Sequence, residues 1–262
     1  MFAPENVLLQ GLFAKVENSR WPRYFSPPGF LLLVRKLVPW LASGSLVCCA
    51  LGFYVGFFVA PLDARHGDVY RIIYVHVPAT WMALIIYMLI AFWSGVGLLR
   101  NDRLASMMAE ALAPTGAMFA FLALWTGSLW GKPIWGAWWE WDMRLAADLV
   151  LMFHYLAIIA LHEAIEDVRR ADRLVALVAL SGVVIVSALL ASVALWPKLQ
   201  QSSSFQSPDS SVRAVAMFVA LTAVAAGFWM YSSAMALMRL RCVLLERERQ
   251  SEWVTQCRWE AR

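Results

Sequence analysis

Six long stretches of almost uninterrupted apolar residues constrain the fold of this chain more than any other feature. A helix needs about 20 apolar residues to cross the hydrocarbon core of a bilayer. The stretches are too uniformly apolar for barrel strands, which alternate between polar and apolar side chains. We therefore predict an all-α membrane protein, a bundle of six transmembrane helices over residues 39–60, 79–99, 105–127, 145–164, 174–195 and 213–238.

The composition supports this fold class and excludes several others. Hydrophobic residues make up 61% of the chain and charged residues 15%, whereas soluble domains average about 45–50% and about 25%. An ordinary soluble enzyme and a disordered chain are therefore excluded. The net charge of +4 is too small to indicate a nucleic-acid partner.

The distribution of Lys and Arg predicts the orientation in the membrane. Sixteen of them lie before the first span, in alternate loops and after the last span, and six lie in the other loops. Because basic residues are enriched on the cytoplasmic side, we expect cytoplasmic tails at 1–38 and 239–262. Residues 1–262 then form a single integral membrane domain. The first 37 residues lack a continuous apolar core, so we expect the first span to act as an uncleaved anchor.

Two histidines and one glutamate lie in or beside the predicted spans. His154 lies near the middle of the fourth span, where an interhelical hydrogen bond is expected. Glu110 lies near the cytoplasmic edge of the third span and is expected to reach the interface or pair with Arg103. His76 immediately precedes the second span, and Pro78 suits a helix start because its missing N–H has no helical partner there.

The loop at 128–144, the tryptophan loop, faces outward in this orientation and carries the most specific signal in the chain. It holds five of the 14 tryptophans within twelve residues. The spacing i, i+3, i+4, i+7 predicts a short interfacial helix with Trp135, Trp138, Trp139 and Asp142 on one face. Turn residues precede that helix at Gly131, Pro133 and Gly136. The five tryptophans are Trp130, Trp135, Trp138, Trp139 and Trp141.

A surface of indole rings suits a large planar apolar ligand that has polar edges. Lys132 and Arg144 flank this surface and are placed to pair with carboxylates on the ligand's rim. A porphyrin with two propionates meets this description. Its iron needs an axial donor, and His76 lies in the neighbouring outward loop.

The run Trp130–Leu145 resembles the tryptophan-rich WWD signature of haem-handling membrane proteins. Together with the six spans and the segment Tyr70–Pro78, it resembles the family of cytochrome c maturation protein C, also called haem exporter protein C. The resemblance covers residues 40–245. It implies a non-enzymatic carrier in the bacterial inner membrane that takes protohaem IX (haem b) at the outer face, with both termini cytoplasmic.

The resemblance also implies partners and ligand residues. Haem would pass to a membrane-anchored periplasmic haem chaperone. An ATP-binding-cassette transporter (an ATPase and a permease subunit) and a small single-span membrane subunit would assist, and no nucleic acid is involved. The tryptophan loop would hold the ring, and His76 matches the first of two outward histidines that bind the iron. Asp142 would either cap the fourth span or contact the haem edge or the chaperone.

The third outward loop departs from the family pattern. Where the family has its second ligand histidine, this chain has Gln200. Three interpretations follow. His76 binds the iron with water or Gln200 opposite, which we favour because the ring platform is complete. Alternatively, His66 supplies the second ligand, or haem handling is weakened or altered.

Two other function classes compete with haem delivery. In the first, the chain is a permease or scaffold subunit of a transporter complex that binds no haem, and the tryptophan loop is a partner interface. In the second, it is a membrane oxidoreductase, which would need haem sites across the bilayer. The sequence offers ligands for at most one site, on the outside, and we reject this second class.

If Gln200 faces the iron, Gln200→His should strengthen haem binding and produce a six-coordinate absorption spectrum, because imidazole is the stronger ligand. Haem titration of the two purified proteins measures this. An unchanged spectrum would place residue 200 away from the iron.

Overall fold

The computed structural model describes residues 27–62, 67–141, 143–195 and 210–249, and this part of the chain is almost entirely helical. The all-α membrane class predicted from the sequence is confirmed. A π-helical turn at Val55–Val59 follows the first helix, and a short 3₁₀ helix at Asp68–Ile72 precedes the second. The six long helices are α1 (Pro27–Tyr54), α2 (Ile73–Arg100), α3 (Arg103–Trp135), α4 (Met143–Ala164), α5 (Val168–Leu195) and α6 (Ser210–Arg247).

Each predicted span lies, to within one residue, inside one of these helices or, for the first, inside α1 and its π-helical turn. Among the described residues, five helical segments are long and apolar enough to cross a membrane, and they overlap every predicted span except 174–195. The segment 174–195 lies in α5, which has 28 residues. The assignment of these helices to membrane spans and tails stays a prediction.

Local signals in the sequence explain the connections between α2 and α3 and between α4 and α5. Asn101 ends α2 in the left-handed conformation (φ 52°), and Asp102 accepts a 2.9 Å hydrogen bond from the amide of Leu104 to cap α3. Asp167 caps α5 by accepting from the amide of Arg169 at 3.0 Å. Both turns are therefore short, and each places its two helices side by side in opposite directions.

The core lies among α2, α3, α4 and α5, while α1 packs chiefly against α6. Two tyrosines fix the core helices. Tyr155 of α4 lies on Gly116 of α3 and donates a 2.6 Å hydrogen bond to the carbonyl of Ala83 in α2. Tyr87 of α2 lies on Gly182 of α5. Large aromatic side chains fit between these helices because glycine leaves the space open.

A polar cluster connects the beginnings of α3 and α5 with the ends of α4 and α6. It also corrects the expectation for Glu110. The guanidinium of Arg247 in α6 pairs with Glu110 of α3 and, at 2.9 Å, with Asp172 of α5. His162 of α4 lies 3.5 Å from the same Asp172 carboxylate. Glu110 thus pairs with Arg247 rather than Arg103, because α6 extends beyond the predicted span and brings Arg247 across the end of α3.

His154 also differs from its prediction. Its Nδ1 lies 2.9 Å from the carbonyl of Val150, one turn earlier in the same helix. Its ring contacts the ring of Tyr87 edge-on, with centroids 6.4 Å apart. The expected interhelical hydrogen bond is therefore replaced by a bond within α4 and a ring contact to α2.

Gly116→Ala should destabilise the fold because the new Cβ would overlap the Tyr155 ring. Overpacking of this kind typically costs about 1–3 kcal/mol. Thermal unfolding in detergent measures the loss. The matched control is Gly95→Ala, whose Cβ would meet Leu180 at an ordinary 3.8 Å. Equal unfolding temperatures for the two variants would contradict the proposed tyrosine–glycine contact.

The polar cluster should make stability depend on pH. Burial raises the pKa of Asp172, but the neighbouring His162 and Arg247 side chains lower it more, so the net pKa lies below its usual value of 3.8. Asp172 therefore stabilises the fold at pH values above 3.8, and this contribution is lost as the pH falls through the folded-state pKa.

The unfolding temperatures of wild type and Asp172→Asn, measured from pH 7 down to pH 3, test this expectation. Wild type should be the more stable protein at neutral pH, and the difference should shrink on acidification. A difference that stays constant over the whole range would exclude a contribution from the ionised carboxylate.

Candidate functional site

His76 lies in the first turn of α2 and faces α3. Its Nδ1 atom lies 3.1 Å from the carbonyl oxygen of Ala123 and 2.9 Å from Oγ1 of Thr126. The preceding 3₁₀ helix directs the chain into α2 at this point, so the imidazole is held where α2 and α3 meet.

These contacts determine which ring nitrogen of His76 carries the proton. The Ala123 carbonyl is only an acceptor, so Nδ1 must donate to it. The Thr126 hydroxyl already donates to the carbonyl of Leu122 at 2.7 Å, which leaves its lone pair for the same Nδ1–H group. The neutral imidazole therefore keeps its lone pair on Nε2, and that atom is available to a metal.

The imidazole is enclosed by small and apolar groups. A Cβ atom at Gly127 would lie 3.4 Å from Cε1 of His76 and 3.3 Å from the side chain of Leu145 at the start of α4. Arg144 is close enough to His76 to interact with it electrostatically. The site thus lies at the junction of α2, α3 and α4.

The tryptophan loop is organised differently from its prediction. In place of a separate interfacial helix, α3 continues through Trp135 and ends at Gly136, which has a left-handed backbone (φ 79°). Residues 136–141 are not helical. Gly131 and Pro133 consequently lie inside α3, and only Gly136 acts as a turn residue. The i, i+3, i+4 pattern arises partly in α3 and partly in the loop that follows.

The five tryptophans therefore occupy two environments. Trp130 packs edge-on against Tyr70 with ring centroids 5.9 Å apart, and Trp135 folds back on Gly131 one turn earlier. After the helix end, the side chain of Trp138 is 55% exposed and that of Trp141 is 82% exposed. The indoles do not form the single flat face predicted by the helical spacing.

Trp139 is half-buried between these two groups. It contacts Trp141 edge-on, with ring centroids 5.5 Å apart. Its indole N–H is buried, and no acceptor for it is found among the described residues. The Nε–H group of Arg71, in the 3₁₀ helix before α2, is also buried without an acceptor among the described residues. Two buried donors, one just before the start of α2 and one just after the end of α3, fit a ligand that carries acceptor oxygens.

Lys132 closes the end of α3. Its ammonium group donates to the carbonyl of Gly136 at 3.0 Å and lies 5.8 Å from the centre of the Trp138 ring. An ammonium group has three N–H donors. Lys132 can therefore keep its contacts with Gly136 and Trp138 and also donate to a ligand carboxylate, as predicted.

Sequence analysis missed two contributors to this site. Thr126 is 50 residues from His76 in the chain, and no pattern in the sequence links them. Arg71 forms a 3.2 Å ion pair with Asp68, its neighbour in the 3₁₀ helix. Its position five residues before His76 was the only available signal. Three predicted site residues, His66, Asp142 and Gln200, lie outside the described residues, and so does most of the third outward loop.

The donor set restricts the kind of metal that the site could take. Within the described ranges, no group of three or more His, Cys, Asp or Glu side chains is placed to hold a metal ion. One imidazole suffices when the metal arrives inside a macrocycle that supplies its equatorial donors. The imidazole, the indoles and the two buried donors fit an iron tetrapyrrole that carries carboxylates.

Comparison with known proteins identifies the family. The model of the family described as heme exporter protein C matches residues 20–255. This chain belongs to the heme exporter protein C family. It is 40% identical over 232 residues to heme exporter protein C of Escherichia coli K12, covering 88% of this chain and 93% of the relative.

Two further relatives extend the comparison across the heme exporter protein C family. The protein of that name from Bradyrhizobium diazoefficiens is 35% identical over 226 residues, which covers 86% of each chain. The one from Paracoccus denitrificans is 34% identical over 230 residues, covering 87% of this chain and 95% of the relative. The family recognised from the tryptophan loop and the segment Tyr70–Pro78 is confirmed.

Proposed function

We propose that this protein binds protohaem IX at the outer face of the bacterial inner membrane and delivers it to a membrane-anchored periplasmic haem chaperone in cytochrome c maturation. The observation that carries the proposal is the pairing of the His76 Nδ1–H group with two oxygens of α3, which leaves Nε2 as a donor. The names of the relatives, heme exporter protein C, support the same cargo.

Different residues would bind the iron, the ring and the propionates of the haem. His76 supplies one axial bond to the iron through Nε2. The indoles of Trp130, Trp135 and Trp139 supply apolar contact area for the ring, and apolar burial provides most of the affinity for a porphyrin. The acceptor oxygens of the propionates would satisfy the buried N–H groups of Trp139 and Arg71, and Lys132 and Arg144 add positive charge at the rim.

One neutral imidazole is enough to bind the iron of a haem, as the proximal histidine of other haem proteins does. A single firm axial bond leaves the opposite face of the iron with an exchangeable ligand, so that a chaperone can approach it. Water, Gln200 and His66 are the candidates for that opposite position, as the sequence predicts. Asp142 is proposed to cap α4 or to contact the chaperone or the haem edge.

The partners follow from the same role. Release of the loaded chaperone needs energy, which an ATPase subunit of the complex would supply. We infer an ATP-binding-cassette ATPase and permease, together with the small single-span subunit, and the lipid bilayer as the surrounding medium. We propose that both termini lie in the cytoplasm, because the distribution of basic residues predicts this orientation.

The alternative is a permease or scaffold subunit that binds no haem. The exposure of Trp138 and Trp141 favours it, because exposed indoles are typical centres of protein interfaces. Haem delivery explains the same exposure if these two rings meet the chaperone. It also explains the orientation of His76, for which the scaffold role has no use.

Haem titration of detergent-purified protein tests the proposed function. His76→Ala should weaken haem binding about tenfold or more and remove most of the Soret band, because the axial bond is lost. The matched control is His154→Ala, since Nδ1 of His154 bonds to a carbonyl of its own helix and its ring contacts Tyr87. Full retention of the Soret band by His76→Ala would exclude the ligand role, and wild type without haem binding would favour the scaffold.

A further inference from the structure

The hydroxyl group of Thr126 has a restricted role beside His76. Thr126 is 7% exposed and lies where the first turn of α2 meets α3. Its Oγ1 atom lies 2.7 Å from the carbonyl of Leu122 and 3.2 Å from that of Ala123, both on its own helix. Threonine in a helix commonly donates to the preceding turn in this way, so its hydroxyl proton is committed and its lone pairs point away from the backbone.

The lone pair of Thr126 completes the binding of the His76 Nδ1–H group. A carbonyl inside an α-helix already accepts the amide four residues further on, and the Ala123 carbonyl also accepts from the Thr126 hydroxyl. Its capacity for a further bond is therefore limited. The Thr126 oxygen is closer to Nδ1, at 2.9 Å, than the Ala123 carbonyl oxygen, at 3.1 Å. It is therefore the main acceptor for the Nδ1–H group.

The arrangement also selects one orientation of the imidazole ring. A ring rotated by 180° would place the Cδ2–H group against the oxygens of Ala123 and Thr126 and lose both hydrogen bonds. The backbone of His76 is held independently, because the hydroxyl of Thr80 donates to its carbonyl at 2.9 Å. Contacts with the Gly127 region limit the remaining movement of the ring.

We propose that Thr126 is a positioning residue for the iron-binding imidazole: it fixes the Nδ1–H tautomer of His76, directs Nε2 toward the ligand space and increases the electron donation of that nitrogen. This inference rests on the proposed function for its haem readout, but the tautomer itself is a property of the protein without haem. Oxygen acceptors bonded to the second nitrogen of a metal-bound histidine orient the ring and increase its basicity. Thr126 does not touch the iron.

The test compares Thr126→Val, which removes the hydroxyl at nearly constant shape, with Thr126→Ser, which keeps it. The matched control is Thr222→Val in α6, because Thr222 also donates to its own helix, at 2.7 Å to the Phe218 carbonyl, and makes no hydrogen bond to a histidine among the described residues. If Thr126→Val does not yield folded protein, Thr126→Ala replaces it, since alanine is a strong helix former.

Two measurements are made on each variant. Nitrogen NMR of protein labelled at histidine reads the tautomer of His76 without haem, assigned by comparison with His76→Ala. Titration with haem, followed by redox titration of the bound iron, reads the donor strength. For Thr126→Val we expect a mixture of tautomers, a loss of haem affinity of about tenfold, at the lower end of the range for such partners, and a midpoint potential shifted upward because the ferric state loses stabilisation.

The outcomes separate the two proposals. Wild type that shows the Nδ1–H tautomer but binds no haem would overturn the proposed function and leave the tautomer assignment standing. Thr126→Val that matches wild type in both tautomer and potential would overturn the role of Thr126. The same would follow if Thr126→Ser lost as much as Thr126→Val, because packing rather than the hydroxyl would then be responsible. Rescue by serine together with an unchanged Thr222→Val would support the inference.

Discussion

The close packing of α2 against α3 and α5, together with the contact that Tyr155 of α4 makes with α2, is the constraint on which the rest of the structure depends. In a bilayer the hydrophobic effect does not drive helices together, so packing contacts and interhelical hydrogen bonds must do so. The Tyr155 hydroxyl meets both needs: its ring lies on Gly116, and its O–H group reaches the carbonyl of Ala83. One side chain thereby connects three helices and sets the register between α2 and α3.

The register between α2 and α3 brings His76 next to Thr126. His76 lies about two turns before Ala83 in α2, and Thr126 lies about three turns after Gly116 in α3. A shift of one helix along the other by a single turn would separate Nδ1 from its two oxygen partners. The site therefore depends on a tyrosine–glycine contact that lies deeper in the bundle and takes no part in binding.

The sequence allowed the helices, the family and the candidate histidine to be predicted, because long apolar runs and a rare tryptophan pattern are local signals. It did not allow the path of the tryptophan loop to be predicted. The spacing of Trp135, Trp138 and Trp139 is compatible with a separate helix, but Gly136 ends α3 between them. The partner of Glu110 is Arg247 of α6, which is far away in the chain, and not a basic residue close in sequence. Contacts between residues far apart in the chain, such as His76 with Thr126, leave no trace in a single sequence.

Because α3 continues into the tryptophan loop, some of the tryptophans are held by the helix and the others lie in the non-helical segment after it. Trp130 and Trp135 stand on the same rigid helix as Thr126, about 6 Å and 14 Å further along its axis, so their spacing from the imidazole does not depend on loop conformation. Trp138 and Trp141 follow the glycine at which the helix stops. Changes after that glycine can alter the surface that Trp138 and Trp141 form while Trp130 and Trp135 keep their positions relative to His76.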